Sequence, residues 1–444
     1  MPPLRRARGA AARSPPYSIS RGWLSRCRRA RRVLDGDGND RPDGHELTTS
    51  VLHDDALAAV FARLRDGPAV VRCAATCRRW GRVVCDEAAS LSRALPLLGT
   101  LALGFFHKDD RREGPIFVPS TSAGHLLGFH DPSARSLLDG VHVDGVEGSR
   151  PVASRNGRLV VELRRDTRAD GLRLCVCNPL TGDADLLPPL TGEDMPGSYA
   201  CALLTGDDVD PPVFSAAYFR LLLVYNRRGF TALRRYSSDT ASWGPEAKAD
   251  VRISNGWLRN MVRGQATALR GVVYWRLAWH VLGVRLDGTT TTMEQYKLTY
   301  GCPRPTPVNR ASNGTIGVSP EGRLCLVIMI VAGDILGVVT QSFRNDPDND
   351  DISLGRWERQ EWSAANLLDQ FRLKDATAMT SRWYCEKSGV LFFTLGQGSS
   401  IRGTFALNLM TKQVEKIADR ESWTNFCGYE MGRDMYMRSL LVPP

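Results

Sequence analysis

The chain has 444 residues, of which 43% are hydrophobic, so it is long enough for two or three domains with sizeable cores. Its formal net charge of +10 comes from one end, because residues 1–32 contain ten arginines and no acidic residue, whereas the other 412 residues hold 48 groups of each sign. The body of the chain therefore lacks the overall basic bias that nucleic-acid-binding proteins use.

Cysteine usage and hydropathy exclude two further classes. The 11 cysteines are odd in number and scattered, which favours a reducing compartment and predicts no disulfide framework. The longest apolar run, residues 324–333, is too short to cross a bilayer. We therefore expect neither a secreted disulfide scaffold nor a membrane-spanning protein.

Residues 1–45 form the first segment, which is rich in Arg, Ala, Ser and Pro and poor in large apolar residues. This composition predicts a disordered extension. Three interpretations of it remain open: a functionally silent extension, an organelle transit peptide, and a nuclear-localisation arm through residues 28–32. We favour the silent extension.

Residues 46–89 are the only long segment whose apolar residues recur at helical spacing. A helix is predicted at residues 54–64, followed by a turn at 66–68 and a second apolar face that begins near Ala69. A helical hairpin of roughly 45 residues is too small to bury its own apolar surface well, so it needs a covering partner. The residues of the first helix at positions i, i+3, i+4 and i+7 are Leu57, Val60, Phe61 and Leu64.

Three short motifs in this segment carry a resemblance: Leu52-His53-Asp54-Asp55-Ala56-Leu57, then Val60-Phe61-Ala62-Arg63-Leu64, then Thr76-Cys77-Arg78-Arg79-Trp80. In order and spacing they resemble the F-box, which has an opening Leu-Pro, an acidic residue, a Leu/Ile helix, an Arg-Leu and a Val-Cys-Lys-Arg-Trp core. The match covers about a tenth of the chain. The departures, which imply weaker binding to the family's adaptor, are His53, Ala56, Arg65, Thr76 and Arg78.

The resemblance implies that residues 46–97 dock on the small adaptor of a Skp-cullin-F-box ubiquitin ligase, and through it on the cullin. Such a role places the protein in the cytoplasm or the nucleus. Two other interpretations remain open: a helical cap on the following domain, and a helix-turn-helix with arginines facing phosphates. The residues assigned to the adaptor contact, shared with the hairpin's own packing, are Leu52, His53, Leu57, Val60, Phe61, Leu64, Val70, Val71, Cys77, Arg78 and Trp80.

From about Gly99 onward, short β-branched or Leu-rich runs alternate with Gly, Pro, Asp and Asn turns, which predicts a mostly β domain over residues 98–444. A Gly-containing turn followed by a strand recurs at Gly157, Gly271, Gly322 and Gly389, with a weaker copy at Arg228-Gly229-Phe230. Partner strands are predicted at residues 174–177, 282–286, 335–339 and 403–408.

The marker glycines are 42 to 72 residues apart, which suits propeller blades of ~40 to 50 residues once loop insertions are allowed. A radial array of four-stranded blades buries such hairpins and protects their edges. The predicted fold class is thus α+β and multidomain: a short N-terminal helical F-box followed by a β-propeller of about six blades.

Parts of the β domain also resemble the F-box-associated β-propeller domains that are abundant in plant F-box proteins. Those domains show a Cys-Asn-Gly-Leu strand, an Asn-Pro-x-Thr-Gly turn and a Leu-Pro-Pro exit. The resemblance implies that this domain presents loops to a client protein. The matching motifs are Ser154-Arg155-Asn156-Gly157-Arg158-Leu159, Val176-Cys177-Asn178-Pro179-Leu180-Thr181-Gly182, Leu187-Pro188-Pro189-Leu190 and Gly271-Val272-Val273-Tyr274-Trp275.

The sequence offers no arrangement that indicates catalysis, a cofactor or a metal. Cys175 and Cys177 share a strand face but lack the partners of a zinc set. None of the seven histidines lies beside a nucleophile motif, and the acidic run at residues 346–351 lacks an EF-hand continuation. No phosphate-binding or dinucleotide glycine pattern is present. We expect no enzyme, no cofactor, no metal, no nucleic acid and no membrane partner.

The function that this reading predicts is a substrate-recognition subunit of a Skp-cullin-F-box ligase, with the hairpin on the adaptor and the β domain on an unidentified client. Two alternatives stay open. One is a propeller scaffold that no longer recruits the ligase. The other is a propeller-fold hydrolase, which would need carboxylates or a tyrosine converging on the central channel.

Overall fold

A computed structural model of the protein describes two stretches of the chain. The first is residues 52–91 apart from 65–66, 75 and 89–90; the second is residues 99–432 apart from 109–113, 122, 124–136, 146–147, 164–170, 210, 214, 216, 250, 278–279, 287–292, 298–313, 320–321, 333–334, 345–355, 364–378 and 397–401. The predicted N-terminal extension and the acidic run at 346–351 lie outside these residues. None of the helices in the described parts is long and apolar enough to cross a membrane.

The N-terminal stretch contains three short helices, α1 (Asp54–Arg63), α2 (Gly67–Ala74) and α3 (Arg78–Asp86). Helix α1 lies where the apolar spacing predicts it. Asp54 and Asp55 occupy its first turn, where the helix dipole favours negative charge. The three helices share one hydrophobic cluster made of Leu57, Phe61, Val70, Ala74, Val83, Val84, Ala88 and Leu91.

The remainder is mostly β. In chain order the strands are β1 (Ala102–Lys108), β2 (Pro115–Pro119), β3 (Arg150–Arg155), β4 (Arg158–Glu162), β5 (Leu174–Cys177), β6 (Ala184–Leu186), β7 (Tyr199–Thr205), β8 (Phe219–Asn226), β9 (Thr231–Ser237), β10 (Ser242–Trp243), β11 (Ala247–Lys248), β12 (Ala266–Leu269), β13 (Val272–Leu277), β14 (His280–Arg285), β15 (Met293–Lys297), β16 (Gly314–Val318), β17 (Leu324–Ala332), β18 (Ile335–Arg344), β19 (Arg356–Ser363), β20 (Met379–Cys385), β21 (Val390–Leu395), β22 (Gly403–Asn408), β23 (Val414–Ala418) and β24 (Thr424–Glu430).

These strands form a β-propeller arrangement. Five blades are antiparallel meanders of four consecutive strands, beginning with β3, β7, β12, β16 and β20, and β11 additionally pairs with β9 in the second blade. A three-stranded sheet in the order β2-β1-β24 joins the two ends of the β region. The first strand of each blade contacts that of the next, and β24 contacts both β20 and β3, so the innermost strands form a closed ring.

Four blades begin with the hairpin that the glycine pattern predicts. In the first and third blades both turn residues have positive φ, at Asn156 (46°) with Gly157 (80°) and at Arg270 (49°) with Gly271 (76°). Turns of this kind match the twist of the flanking strands and favour Asn and Gly. Strands β5, β14, β18 and β22 lie where the partner strands are predicted.

In the second blade the glycine turn is followed by a strand, as the pattern predicts, but it lies at a different place in the blade. Arg228-Gly229-Phe230 lies between β8 and β9, so this turn joins the second and third strands instead of the first and second. The connection between β7 and β8 covers residues 206–218 and opens with a capping box in which the Thr205 and Asp208 side chains and backbones bond reciprocally. A longer connection replaces the two-residue turn here. It begins with Gly206, which does not have the positive φ of the predicted turns.

Helix α4 (Asn255–Arg263) also departs from the all-strand expectation for the β domain. It lies between the second and third blades and packs on β7, β8 and β13. Ser254 caps it by accepting a hydrogen bond from the Trp257 amide at 3.2 Å. Leu258 and Met261 are its buried residues, and they extend the hydrophobic cluster between these two blades.

Candidate functional site

The helical hairpin leaves part of its apolar surface uncovered. Leu57 and Phe61 of α1 are buried in the hairpin's own cluster, with 3% and 2% of their surface exposed. Val60 and Leu64, on the adjacent side of the helix, are 49% and 38% exposed, and Leu52 just before the helix is 49% exposed. Exposed apolar groups gathered on one short element are typical of a contact surface. We call Leu52, Val60 and Leu64 the exposed α1 stripe.

The predicted adaptor residues therefore divide into groups. Leu57, Phe61 and Val70 contact the hairpin's own core, and Trp80 is half-buried against it. The exposed members are Leu52, His53, Val60, Leu64, Cys77 and Arg78. Val71 lies in α2, and its side chain is outside the described part of the structure. Direct contact with a partner thus falls to the exposed members, while the buried ones hold the hairpin's shape.

Two contacts fix α1 against α3. The rings of Phe61 and Trp80 meet edge to face with centroids 5.4 Å apart. Arg79, which follows Arg78 in the Cys-Arg-Arg-Trp motif, donates through Nε to Asp54 Oδ1 at 2.9 Å and through Nη2 to the Leu52 carbonyl. Arg79 thereby positions the start of α1 and the first residue of the exposed α1 stripe. Sequence analysis names Arg79 as part of the F-box-like motif but does not assign it to the adaptor contact.

A second polar feature lies at one end of the propeller ring, where the carboxyl ends of the innermost strands meet. Arg155, the last residue of β3, donates through Nε and Nη2 to the two carboxylate oxygens of Asp208 at 2.8 and 2.6 Å. Its Nη2 also lies 3.0 Å from Glu386 Oε2 and 2.9 Å from the Ala268 carbonyl oxygen. One arginine of the first blade thus bonds to the second, third and fifth blades.

Asp208 accepts further hydrogen bonds besides those from Arg155. Its Oδ2 accepts from the amide of Thr205 at 2.8 Å and from the Thr205 hydroxyl at 3.0 Å. The side-chain amide of Asn156 donates to that hydroxyl at 2.8 Å, which links the first-blade turn to the same group. These hydrogen bonds fix the orientation of the Asp208 carboxylate.

Glu430, the last residue of β24, joins this cluster from the three-stranded sheet. Its Oε2 accepts from the amides of Lys387 and Ser388 at 3.0 and 3.2 Å, and from the Ser388 hydroxyl at 3.3 Å. Glu386 and Glu430 are 7% and 8% exposed. Among the described residues, Glu386 Oε1 is buried and has no hydrogen-bond donor. We call Arg155, Asp208, Glu386 and Glu430 the ring cluster.

The electrostatics of the ring cluster follow from its burial. Burial alone would lower the pKa of Arg155, but the charges of Asp208 and Glu386 raise that pKa well above its usual value. Burial, together with the charge of Glu386, raises the pKa of Glu430 to about 7, against the opposing effects of Lys387 and Arg155. Arg155 is therefore permanently charged, whereas Glu430 titrates near neutrality.

The carboxylates of the ring cluster accept hydrogen bonds from Arg155, from Thr205 and from the amides of Lys387 and Ser388, so they do not form an open acid–base pair facing solvent. In the described part of the chain, no three His, Cys, Asp or Glu side chains come together in a way that could hold a metal ion. Cys175 and Cys177 lie in the same hydrophobic cluster at 1% and 2% exposure, as buried strand cysteines do.

No sequence motif marks the ring cluster. Its members lie 53 residues (Arg155 to Asp208) and 231 residues (Arg155 to Glu386) apart in the chain. The one regularity is position, since each stands at or just after the end of an innermost strand. That position is recognisable only once the blade boundaries are known.

No protein-family model matches the chain, and no curated protein does. Among solved structures it is similar to a prolyl endopeptidase (11% identity, TM-score 0.28), TolB from Acinetobacter baumannii (10%, 0.28) and the WD40 domain of SCAP from fission yeast (10%, 0.26). The alignments cover 62%, 62% and 61% of this chain, and 36%, 56% and 64% of those chains, so this chain spans less than two thirds of each. At such identities and TM-scores these similarities indicate no activity or partner.

The sheets themselves define the class: this is a β-propeller protein with a helical hairpin ahead of its first strand. Propellers occur both as enzymes and as protein-interaction scaffolds, so the fold supports a scaffold without selecting a particular partner.

Proposed function

We propose that this protein is a substrate receptor of a Skp-cullin-F-box ubiquitin ligase, in which residues 46–97 dock on the adaptor and residues 98–444 bind a client protein. The observation that carries the proposal is the exposed α1 stripe on a hairpin whose own core is already formed by other residues, among them Leu57, Phe61 and Val84. The F-box resemblance supplies the identity of the partner that would cover it.

The mechanism is proximity. The hairpin fixes the protein to the ligase, and the propeller holds a client near a ubiquitin-conjugating enzyme carried by other subunits, which raises the local concentration of client lysines.

We count the three-stranded sheet as a sixth blade, because β24 occupies the innermost position and contacts both neighbouring blades. A receptor of this kind acts in the cytoplasm or the nucleus and needs no cofactor.

The test is binding of the full chain to a purified Skp-type adaptor, with two variants of one helix. Val60→Asp puts a carboxylate into the exposed α1 stripe and should weaken adaptor binding at least about tenfold, because burying valine is worth ~1.5 kcal/mol or more and an unpaired carboxylate resists desolvation. Ala59→Asp adds the same charge one position away, on an exposed surface outside the stripe, and should bind like wild type.

Equal binding by the two variants would contradict the proposal, and so would a wild-type chain that does not bind the adaptor. The second outcome favours a propeller scaffold that no longer recruits the ligase. Phe61→Asp is a poorer test than Val60→Asp, since Phe61 is 2% exposed and its loss would unfold the hairpin.

A propeller-fold hydrolase is the alternative from another class. Three carboxylates do converge at one end of the ring, at Asp208, Glu386 and Glu430. Their engagement by Arg155, Thr205 and the amides of Lys387 and Ser388 supports a structural role for them. We therefore propose that the protein is not an enzyme.

A further inference from the structure

Charge is unevenly distributed along the β domain. Residues 219–286, which contain β8 to β14 and α4, hold twelve Arg or Lys and three Asp or Glu. The rest of residues 33–444 holds 36 basic and 45 acidic residues. The formally neutral body is therefore made of one strongly basic segment and a mildly acidic remainder.

Part of this positive charge lies at the end of the ring opposite the ring cluster. Helix α4 leads into β12, the innermost strand of the third blade, so it lies where the innermost strands begin. Residues 227–230 join the second and third strands of the second blade. In an antiparallel meander that connection is at the same end as the start of the first strand, so the turn and α4 share one face of the propeller.

Hydrogen bonds hold the turn and the helix together. The Asn226 side chain donates to the Ile253 carbonyl at 3.0 Å and to the Asn255 side-chain oxygen at 2.8 Å. The Ile253 amide donates to the Thr231 hydroxyl at 2.8 Å, and the Ala249 amide donates to the Thr231 carbonyl at 2.9 Å. The turn, the segment after β11 and the start of α4 therefore form one fixed surface.

Several exposed basic side chains belong to this surface. Those on α4 are one helical turn apart, on the side of the helix that solvent reaches, whereas Leu258 and Met261 are buried. Among the described residues none of these basic side chains forms an ion pair with a carboxylate, although the neighbouring Arg227 pairs with Glu246 at 2.7 Å. We call them the basic α4 surface, which consists of Arg228, Lys248, Arg252, Arg259 and Arg263.

The aromatic rings beside these charges are engaged within the chain. Lys248 Nζ lies 5.7 Å from the centre of the Phe230 ring, and the rings of Trp257 and His280 are 5.6 Å apart. Phe230 and Trp257 are both half-buried. Single-stranded nucleic acid needs exposed aromatic faces on which its bases stack, and this surface does not present them.

A lipid surface fits no better. Segments that lie on a bilayer combine basic residues with exposed apolar side chains that enter the lipid. None of the large apolar residues that are exposed in the described parts of the chain lies within residues 219–286. The surface is therefore suited to a polar, negatively charged partner that needs neither stacking nor insertion.

We propose that the basic α4 surface binds an Asp- or Glu-rich segment of a partner protein. A phosphate dianion favours a site where guanidinium groups converge on one point. The cations here are spread over a turn, a strand end and a helix face, which suits single carboxylates spaced along a segment. In the ligase this segment would belong to the client, and that assignment rests on the proposed function.

The strength of such binding follows from the exposure of the cations. One exposed ion pair changes Kd by up to about fivefold, so affinity requires several pairs together. A surface of one sign also steers an acidic partner toward it, and salt screens both effects. Binding should therefore be strongly dependent on salt.

Fluorescence anisotropy of the full chain with a labelled peptide of about 12 residues, in which Glu and Ser alternate, measures the interaction. Arg259→Glu/Arg263→Glu should weaken binding at least about tenfold, because two attractions are replaced by two repulsions. Arg270→Glu/Arg402→Glu is the matched control. It changes the net charge by the same amount at exposed positions outside the surface, and it should bind the peptide like wild type.

A wild-type chain that does not bind the Glu peptide would overturn the proposal, and so would equal weakening by the two double variants. Three other ligands test the chemistry: a phosphoserine peptide of equal net charge, an oligothymidylate, and vesicles that contain phosphatidylserine. Each should bind less tightly than the Glu peptide, and tighter binding of any one of them would overturn the choice of partner.

Circular dichroism checks that the variants fold. Should Arg259→Glu/Arg263→Glu fail to fold, Arg228→Glu/Arg252→Glu tests the same surface outside the helix and should weaken binding by a similar factor. Adaptor binding is measured separately. A chain that binds the peptide but not the adaptor would contradict the proposed function alone, whereas one that binds the adaptor but not the peptide would contradict this inference alone.

Discussion

Nη2 of Arg155 donates to Oε2 of Glu386 at 3.0 Å, although 231 residues separate the two in the chain. Arg155 ends the innermost strand of the first blade, and Glu386 follows the innermost strand of the fifth. The bond therefore crosses the part of the ring that β24 completes. A contact at this separation exists only after the blades have assembled.

Replacing Arg155 tests how much the ring depends on it. Arg155→Met leaves Asp208 and Glu386 buried without their cation, and breaking a buried ion pair in this way costs about 3 to 5 kcal/mol of the free energy of unfolding. Denaturant unfolding followed by tryptophan fluorescence and circular dichroism measures the loss. Arg150→Met is the matched control. The ion pair between Arg150 and Glu162 is more exposed, so breaking it should lower the free energy of unfolding less. Equal losses for the two variants would contradict the assigned role.

Gly157 and Gly271 occupy the same position in two blade hairpins but differ in their surroundings. Both have positive φ, 80° and 76°, which costs a residue with a Cβ about 1 to 2 kcal/mol. A Cβ on Gly157 would lie 2.9 Å from the Gly432 amide nitrogen, whereas a Cβ on Gly271 would meet nothing within 4 Å. Gly157→Ala should therefore lower the melting temperature more than Gly271→Ala. An equal decrease in melting temperature in the two variants would show that the close approach of Gly432 to the Gly157 turn does not affect stability.

Phe61 and Val60 are neighbours on α1 with opposite environments. Phe61→Ala empties the hairpin core and should cost about 3 to 5 kcal/mol, whereas Val60→Ala at 49% exposure should change stability by roughly 0.5 kcal/mol or less. Hydrogen exchange of α1, α2 and α3 in the full chain resolves this local effect from the propeller. Faster exchange in Val60→Ala than in Phe61→Ala would mean that the hairpin packs differently.

Cysteine alkylation distinguishes the exposed thiol from the buried strand thiols. Cys77 is exposed, whereas Cys175 and Cys177 are buried. The hydrogen bond to Cys175, together with burial, raises the pKa of Cys177 well above its usual value. Iodoacetamide should modify Cys77 in the native protein, and Cys177 only in denaturant, even at pH 9. Peptide mapping by mass spectrometry reads this out, and early modification of Cys177 would mean that the first blade opens locally.

The parts of the fold that follow from local chemistry were predictable. The turns at residues 156–157 and 270–271 indicate hairpins because their glycines readily adopt positive φ, and the strands beside them follow from β-branched and Leu-rich runs. The glycine pattern does not mark the first connection of the second blade, because the residues after β7 are held by the capping box between Thr205 and Asp208 and not by a turn with positive φ. Helix α4 has only 9 residues, too few for its apolar spacing to stand out among the surrounding strands.

The candidate interaction site was partly predictable. Helical spacing identifies Leu57, Val60, Phe61 and Leu64 as one apolar group, but spacing alone does not divide a broad stripe into buried and exposed halves. The division depends on where α2 and α3 pack, and on the pairing of Arg79 with Asp54 and of Phe61 with Trp80.

By itself the sequence determined the local elements: a helical hairpin near the start and a series of glycine-marked β-hairpins after it, because turn dihedrals and hydrophobic periodicity act over a few residues. Only the tertiary structure decided which apolar side chains of α1 stay uncovered and which charged side chains meet at the end of the ring. Those outcomes depend on the distance between groups that lie tens to hundreds of residues apart, and burial and electrostatic energies depend on that distance and not on sequence separation.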